Sequence, residues 1–390
     1  MTRKLFWENP YETEFEAKII ALREEGIVLD QTLFYPKSGG QAGDRGSLTA
    51  GGLLFEVDNV IKKKNEIIHH VSSDFRHILN EGENIRGNID WEYRYGLMKA
   101  HSSQHIFSAL ILQRYNIETS QVYIEFEEVT LNLVQQISFN QLKSALQEIN
   151  DICILNNREI VAKIIPFKEA VKISNRIRGQ IPEHDQIRLI QAENCDMVCC
   201  GGTHVKNSIE IGPLIIYSFK KGKEIRYLVG KKALNMITKL NVDFLNSADL
   251  LGQPINNIKD AIEKQINFVS KLQQDNTNLI TKTLRIISKN PILLLNKISI
   301  YIIELEIDNK ILNKEFKNFP LNSLLIIKSE DNKIKVLSKN KEILANDIIQ
   351  YLLGIYGGKG GGSNQSAQAL LHNIPKDILT DLKAFLIQNQ

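Results

Sequence analysis

Two short stretches constrain this chain more than any other feature: HSSQH at 101–105 and CGGTH at 200–204. In the first, His101 and His105 stand four apart, and a helix would put them on one face, one turn apart. In the second, Cys200 and His204 have the same spacing. Gly201 and Gly202 between them let the backbone turn tightly, so that both side chains can face one ion. Together the pairs make a Cys1His3 set, the type of donor set a borderline-soft cation such as Zn²⁺ prefers. A fold that uses both must bring together segments that lie far apart in the chain.

Each pair alone is commonplace, as helix surface, core filling or chance. Finding both in a chain of only eight histidines and four cysteines favours one metal site. Cys195 and Cys199 are alternative thiols; Cys199 adjoins Cys200 and would point elsewhere, so both read as structural. His69, His70, His77, His184 and His372 have no such company and read as packed or solvated. Ser102 follows His101, so the glutamate of the HExxH metalloprotease motif is missing. The paired CxxC of a zinc finger is missing too.

The formal net charge is only +3 over 390 residues, so bulk charge names no partner. Any nucleic-acid contact must come from local basic patches. Three of the four cysteines fall within six positions, Cys195 to Cys200, which is no disulfide framework and points to a reducing compartment. The N-terminal residues carry no apolar signal region, and no run approaches the ~18 apolar residues of a membrane span. The expectation is a cytoplasmic protein with no membrane partner.

The pattern predicts an α+β chain. Residues 1–90 alternate in short runs such as FEAKIIAL and GLLFEVDNV between turn residues, as a small barrel or meander does. Residues 91–118 have helical periodicity. VYIEFEEVTLNLV reads as a strand, FNQLKSALQEINDICILN as an amphipathic helix, and the stretch around Gly222 as a hairpin, giving a mixed domain over 91–235. Residues 236–285 read as helical, with Pro254 suited to a first turn and a short coiled-coil-like spacing after it. Residues 286–390 alternate again: PILLLNKISIYIIEL, SLLIIKSE and IKVLSK each read as a strand, and GGKGGGSNQSAQALL (357–371) is predicted to be a glycine loop that ends one helix and starts another.

Four stretches carry a resemblance. TLFYPKSGGQAGDRG (32–46), RYGLMKAHSSQHIFSAL, CCGGTHVKNSIEIGPL and GGKGGGSNQSAQA (357–369) resemble the editing domain of alanyl-tRNA synthetase and its free-standing AlaX relatives. Ser38 departs from the family's usual glycine, and Ser208 and Ile209 stand where threonine and glycine are usual. The last stretch is similar to the glycine-rich motif of the DHHA1 domain. The resemblance covers nearly the whole chain, in the manner of the long AlaX form. It implies an N-terminal β-barrel domain at 1–90, a zinc-binding α/β editing domain at 91–235, a helical linker at 236–285 and a small α/β DHHA1-like domain at 286–390.

The activity so implied is hydrolysis, in trans, of tRNA(Ala) mischarged with serine or glycine. One Zn²⁺ per chain would be held by His101, His105, Cys200 and His204. Thr32 would contact the seryl hydroxyl, with Gln41 and Gln121 in the catalytic pocket. Gly39, Gly40, Asp44 and Arg94 would bind substrate, and Lys99, Lys220, Lys221, Lys223 and Arg226 are further cations for the tRNA backbone. Gly358, Lys359, Gly360, Gly361 and Gly362 would contact tRNA, since glycine backbone approaches phosphate closely. The linker helices or the C-terminal domain would carry a homodimer contact. Competing readings are a zinc-stabilised tRNA-binding module without catalysis and a deacylase of another aminoacyl-tRNA. A DHH-type phosphoesterase is discounted, because the chain has no Asp-His-His motif.

Overall fold

Alternation in the first ninety residues closes a barrel. In the strand Glu14–Arg23, Phe15, Ala17, Ile19 and Ala21 are buried while the residues between them face out. Asn84–Ile89 repeats the pattern with Ile85 and Ile89 inward. Such period-two burial is what a sheet with one wet face requires. The computed structural model describes residues 2–329, 331–374 and 377–388. It divides into two compact units, Met1–Ser247 and Ala248–Gln390.

In the first unit six strands form a closed barrel, in the order Glu14–Arg23, Gly26–Leu29, Glu66–Val71, Leu53–Lys63, Gly46–Ala50 and Asn84–Ile89. The helix Trp91–Tyr115 follows. Asp90 caps it by accepting the Tyr93 N–H, and Asn116 ends it in the left-handed conformation at φ 53°. The helix is buried on every side over most of its length, His101, Ser102, Ser103, Gln104 and His105 included, so it has no single apolar stripe. It packs on a four-stranded sheet, Ile215–Lys220, Glu224–Leu228, Glu128–Leu133 and Thr119–Glu125, around Met98, Phe107, Ile124, Val129 and Leu131. A three-stranded sheet, Ile160–Pro166, Gln186–Ala192 and Asp196–Cys199, delivers the Cys200 loop from its last strand. The helix Gly230–Leu251 begins at the end of the strand Glu224–Leu228.

The second unit begins with the helix Ile258–Ile287 and holds a six-stranded mixed sheet. Ile298–Glu304 and Ser323–Lys328 run parallel, joined through the helix Asn309–Phe316, and the helix Ala345–Tyr356 packs on the sheet's far strands.

Three sequence expectations give way to the structure. VYIEFEEVTLNLV is two strands, turning at Glu127 with φ 50°. The run 291–305 is likewise a hairpin, Leu293–Leu295 with Ile298–Glu304, turning on Asn296 and Lys297 at φ 48° and 68°. Neither turn carries the glycine that usually announces one. The glycine run is neither loop nor helix start: Gly358–Gly362 is the edge strand of the sheet, paired with Ser366–Leu371. Its backbone hydrogen bonds to that strand need no side chain.

Candidate metal centre

The fold brings the two spaced pairs together. His101 and His105 come from the middle of the helix Trp91–Tyr115, Cys200 and His204 from the loop after the strand Asp196–Cys199. Their ligand atoms all lie within 4.8 Å of one another. Cys200 Sγ is 3.5 Å from His101 Nε2 and 3.4 Å from His204 Nε2. Two donors about 2.0–2.3 Å from one tetrahedral ion are about 3.4–3.7 Å apart, so this spacing suits a shared ion. All three imidazoles are buried, and Cys200 nearly so.

Neighbours fix which nitrogen is free. Gln41 Oε1 accepts from His101 Nδ1 at 2.6 Å, which leaves the Nε2 lone pair toward Cys200. The Gln41 amide is itself oriented, because its Nε2 donates to Thr203 Oγ1 at 2.9 Å and its Oε1 accepts the Thr203 N–H. Ser102 Oγ lies 3.2 Å from His204 Nδ1 and accepts the Val205 N–H, which holds the His204 ring in place. His105 Nδ1 is buried with no hydrogen-bond partner among the described residues. Outer partners of this kind set tautomer and ring orientation in metal sites.

Burial pushes the His101 imidazole down to about 3, and the Arg188 charge adds to the effect. His105 and His204 are held well below the ordinary value, by burial and then by neighbouring His101. The histidines are therefore neutral, as ligands must be. Burial raises the Cys200 thiol, while the Gly202 N–H and Arg188 pull the other way.

The Cys200 loop is clamped from outside. Arg188 Nη1 donates to the carbonyls of Cys200 at 2.8 Å and Gly202 at 2.9 Å, and Trp7 Nε1 donates to the Gly201 carbonyl at 2.8 Å. Gly202 is glycine because of proximity, not backbone conformation: a Cβ there would sit 2.2 Å from His101 Cε1. Beside the loop lies a cavity of about 290 Å³, whose walls include Trp7, Tyr35, Ser38, Arg188 and Cys200.

The other expected residues fall in different places. Gln41 is fully buried and touches His101, so it acts on the cluster from behind. Gly39 and Gly40 form the turn that delivers it. Gly40 has φ +85° and Val122 O within 2.6 Å of where a Cβ would be, and its carbonyl accepts the Ile124 N–H. Thr32 is fully buried in the barrel, where its Oγ1 is 2.8 Å from His69 Nε2 and accepts the Phe34 N–H. His69 Nδ1 faces the Ile27 carbonyl at 2.9 Å, so Nε2 is the acceptor and Thr32 the donor. Gln121 is exposed on the strand Thr119–Glu125, and neither it nor Thr32 lines the cavity beside Cys200.

Asp44 and Arg94, expected to bind substrate, are fully buried and paired with each other. Arg94 Nε meets both Asp44 oxygens at 2.8 and 3.0 Å, its other nitrogens reach the Leu33 and Pro10 carbonyls, and Asp44 accepts the Tyr35 N–H. The pair bolts the long helix to the barrel. Among the surface cations, Lys99 is tied to Glu127, and Lys220 and Arg226 to Glu224. In the second unit, the edge strand with Lys359 borders a cavity of about 530 Å³ that also takes in Lys333 and Lys335.

Sequence reasoning missed four residues that shape the centre. Ser102 stands out in the sequence only for not being glutamate. Glu210 accepts from Tyr11 and Tyr95 hydroxyls and from the Lys206 and Asn207 N–H groups, holding the chain after His204. The N-x-x-E capping box at 207–210 was its readable signal. Arg188 and Trp7 act over long sequence distances and carry no local signal.

Residues 4–93 match the family model described as tRNA synthetases class II (A). Over 97% of its length the chain is 27% identical to the alanyl-tRNA editing protein AlaX-L of Pyrococcus horikoshii, and it covers 96% of that protein. The chain is thus similar from end to end to an alanyl-tRNA editing protein. It is also 28% identical to the alanine–tRNA ligase of Methanoregula boonei, over 94% of this chain and 41% of the ligase. With the ligase of Pyrococcus abyssi the figures are 25%, 96% and 42%. The chain thus spans less than half the length of those ligases. No described helix is long and apolar enough to cross a membrane.

Proposed function

We propose that this chain is an editing hydrolase that cleaves the ester between a wrong amino acid, serine or glycine, and tRNA(Ala). The observation that carries the reading is the buried His101–His105–Cys200–His204 cluster beside an open cavity, in a chain similar from end to end to an alanyl-tRNA editing protein. The donor set and the Sγ–Nε2 spacings suit zinc. When bound there, zinc supplies Lewis acidity to an ester carbonyl or a nearby water.

The chain's own groups supply the rest. Gln41 holds the His101 imidazole with its lone pair toward the ion, and Ser102 fixes the orientation of the His204 ring. Arg188 and Trp7 keep the Cys200 loop in register. Thr32 is the proposed reader of the seryl hydroxyl. Its own proton is committed to His69, so it can offer serine only an acceptor lone pair. Alanine and glycine have no hydroxyl to donate to it, and a site built to pair a hydroxyl rejects a substrate that lacks one, so this contact selects serine alone. The glycine strand Gly358–Gly362 with Lys359 is the proposed tRNA contact of the second unit, and one Zn²⁺ per chain and a cytoplasmic location complete the reading.

Four protein donors around one ion also describe a closed structural site, whereas catalytic zinc usually keeps a position open. That observation favours the second reading, a zinc-stabilised tRNA-binding module. A time course of ester loss from serine-charged and alanine-charged tRNA(Ala), with wild type beside Thr32→Val, decides between them. The editing reading expects fast loss of serine, slow loss of alanine, and a collapsed ratio in Thr32→Val. No loss of either ester, with tRNA still bound, contradicts it.

A further inference from the structure

The cavity beside Cys200 is unusual in its charge. Lys4, Lys62, His184 and Arg188 all line it, and no carboxylate does. Neither Lys4, Lys62 nor Arg188 has an ion-pair partner among the described residues; the nearby acid Glu8 is taken by Arg3. Lys4 is half-buried, and its ammonium is depressed by burial and by the charges of Lys62 and Arg188. Arg188 is 8% exposed. Its Nη1 is spent on the Cys200 and Gly202 carbonyls, and its buried Nε has no partner among the described residues. Like charges gathered in a concave wall raise the local concentration of anions.

Position says which anion. The cations stand on the wall that ends at Cys200 and Gly201, next to the cluster. Trp7 ties that wall to the loop and carries Lys4 Nζ 3.8 Å over its ring. A strand whose terminal ester reaches the cluster would pass its last phosphodiesters along this wall.

We propose that Lys4, Lys62 and Arg188 form a phosphate seat for the 3′-terminal single strand of the nucleic acid whose end enters the cluster. The seat rests on the editing reading for its choice of strand, but its test does not need turnover. Zinc-loaded full-length protein is titrated with the four-nucleotide RNA ACCA by fluorescence anisotropy across a salt series. Wild type is compared with the double variant Lys4→Gln/Lys62→Gln and with Lys143→Gln, an exposed lysine elsewhere in the same unit. Zinc content is measured for each.

The double variant is expected to keep its zinc and bind ACCA more weakly. Its slope of log K against log salt should fall by about 0.7 for each phosphate it no longer neutralises. Lys143→Gln should match wild type. If the double variant folds poorly, the exposed Lys62→Glu carries the same test, with a larger drop in affinity expected. Unchanged affinity and slope in the lysine variants overturn the proposal. So does inorganic phosphate displacing ACCA at equal concentration, which would mark a free-anion site. Weakened ACCA binding in the lysine variants of a protein that cleaves no ester leaves the seat standing and removes the editing reading instead.

Discussion

Two buried arginines, Arg94 and Arg188, show how differently the same residue serves two regions of one unit. Arg94, on the seam between barrel and long helix, has a full set of partners: the Asp44 carboxylate and the Pro10 and Leu33 carbonyls. Arg188, on the wall of the metal-side cavity, has two backbone carbonyls, no carboxylate and an orphaned Nε. A buried charge with every hydrogen bond made is a structural part. One left incomplete, beside two unpaired lysines, is a place prepared for something outside the chain. Side-chain burial alone does not separate them; the inventory of partners does.

The largest effect expected from this contrast is on stability. Asp44→Asn strands the Arg94 charge and should cost about 3–5 kcal/mol of unfolding free energy, read by urea denaturation. Arg188→Met removes a charge with no carboxylate to strand, so it should cost far less stability. A small change for Asp44→Asn, or equal changes for the two variants, would erase the distinction.

Next in size is metal affinity. Gln41→Leu removes the acceptor that fixes His101 and should weaken zinc binding about 10–100-fold while the fold persists, measured by competition with a chelating dye. Unchanged affinity would mean that Gln41 does not orient the ligand.

A third effect is pH-dependent and belongs to the barrel. Burial lowers the His69 imidazole to about 4. Below about 6.5 the unfolded chain takes up a proton that the folded chain refuses. Stability is therefore full above about pH 6.5 and falls as pH drops toward 4, by about 1.4 kcal/mol per unit for one such histidine. Denaturation midpoints of wild type and His69→Gln across this range should converge at low pH, with the variant's curve flatter. Parallel curves would show that His69 is not held neutral by the fold.

Much of this was legible in the sequence where the signal is periodic or paired. The barrel strands announce themselves by alternation, as in Glu14–Arg23. The two four-residue spacings suffice to nominate His101, His105, Cys200 and His204. What was not legible depends on the third dimension. Asp44 reads as a turn residue beside a glycine-rich motif, and only the fold places it against Arg94, fifty positions away. Trp7 and Gly201 are separated by 194 positions. The glycine run 358–362 has the composition of a linker, and only its partner strand makes it a strand. The turns at Glu127 and Asn296–Lys297 lack glycine, so two hairpins read as single strands.

The most direct test of the central claim is single-turnover deacylation of serine-charged tRNA(Ala) by wild type and Cys200→Ala, with zinc measured in the same samples. The expected result is rapid release of serine by the zinc-loaded wild type, and loss of both zinc and turnover in Cys200→Ala. Turnover that persists in a zinc-free Cys200→Ala variant would contradict the account, as would a zinc-loaded wild type that binds the tRNA and leaves its ester intact.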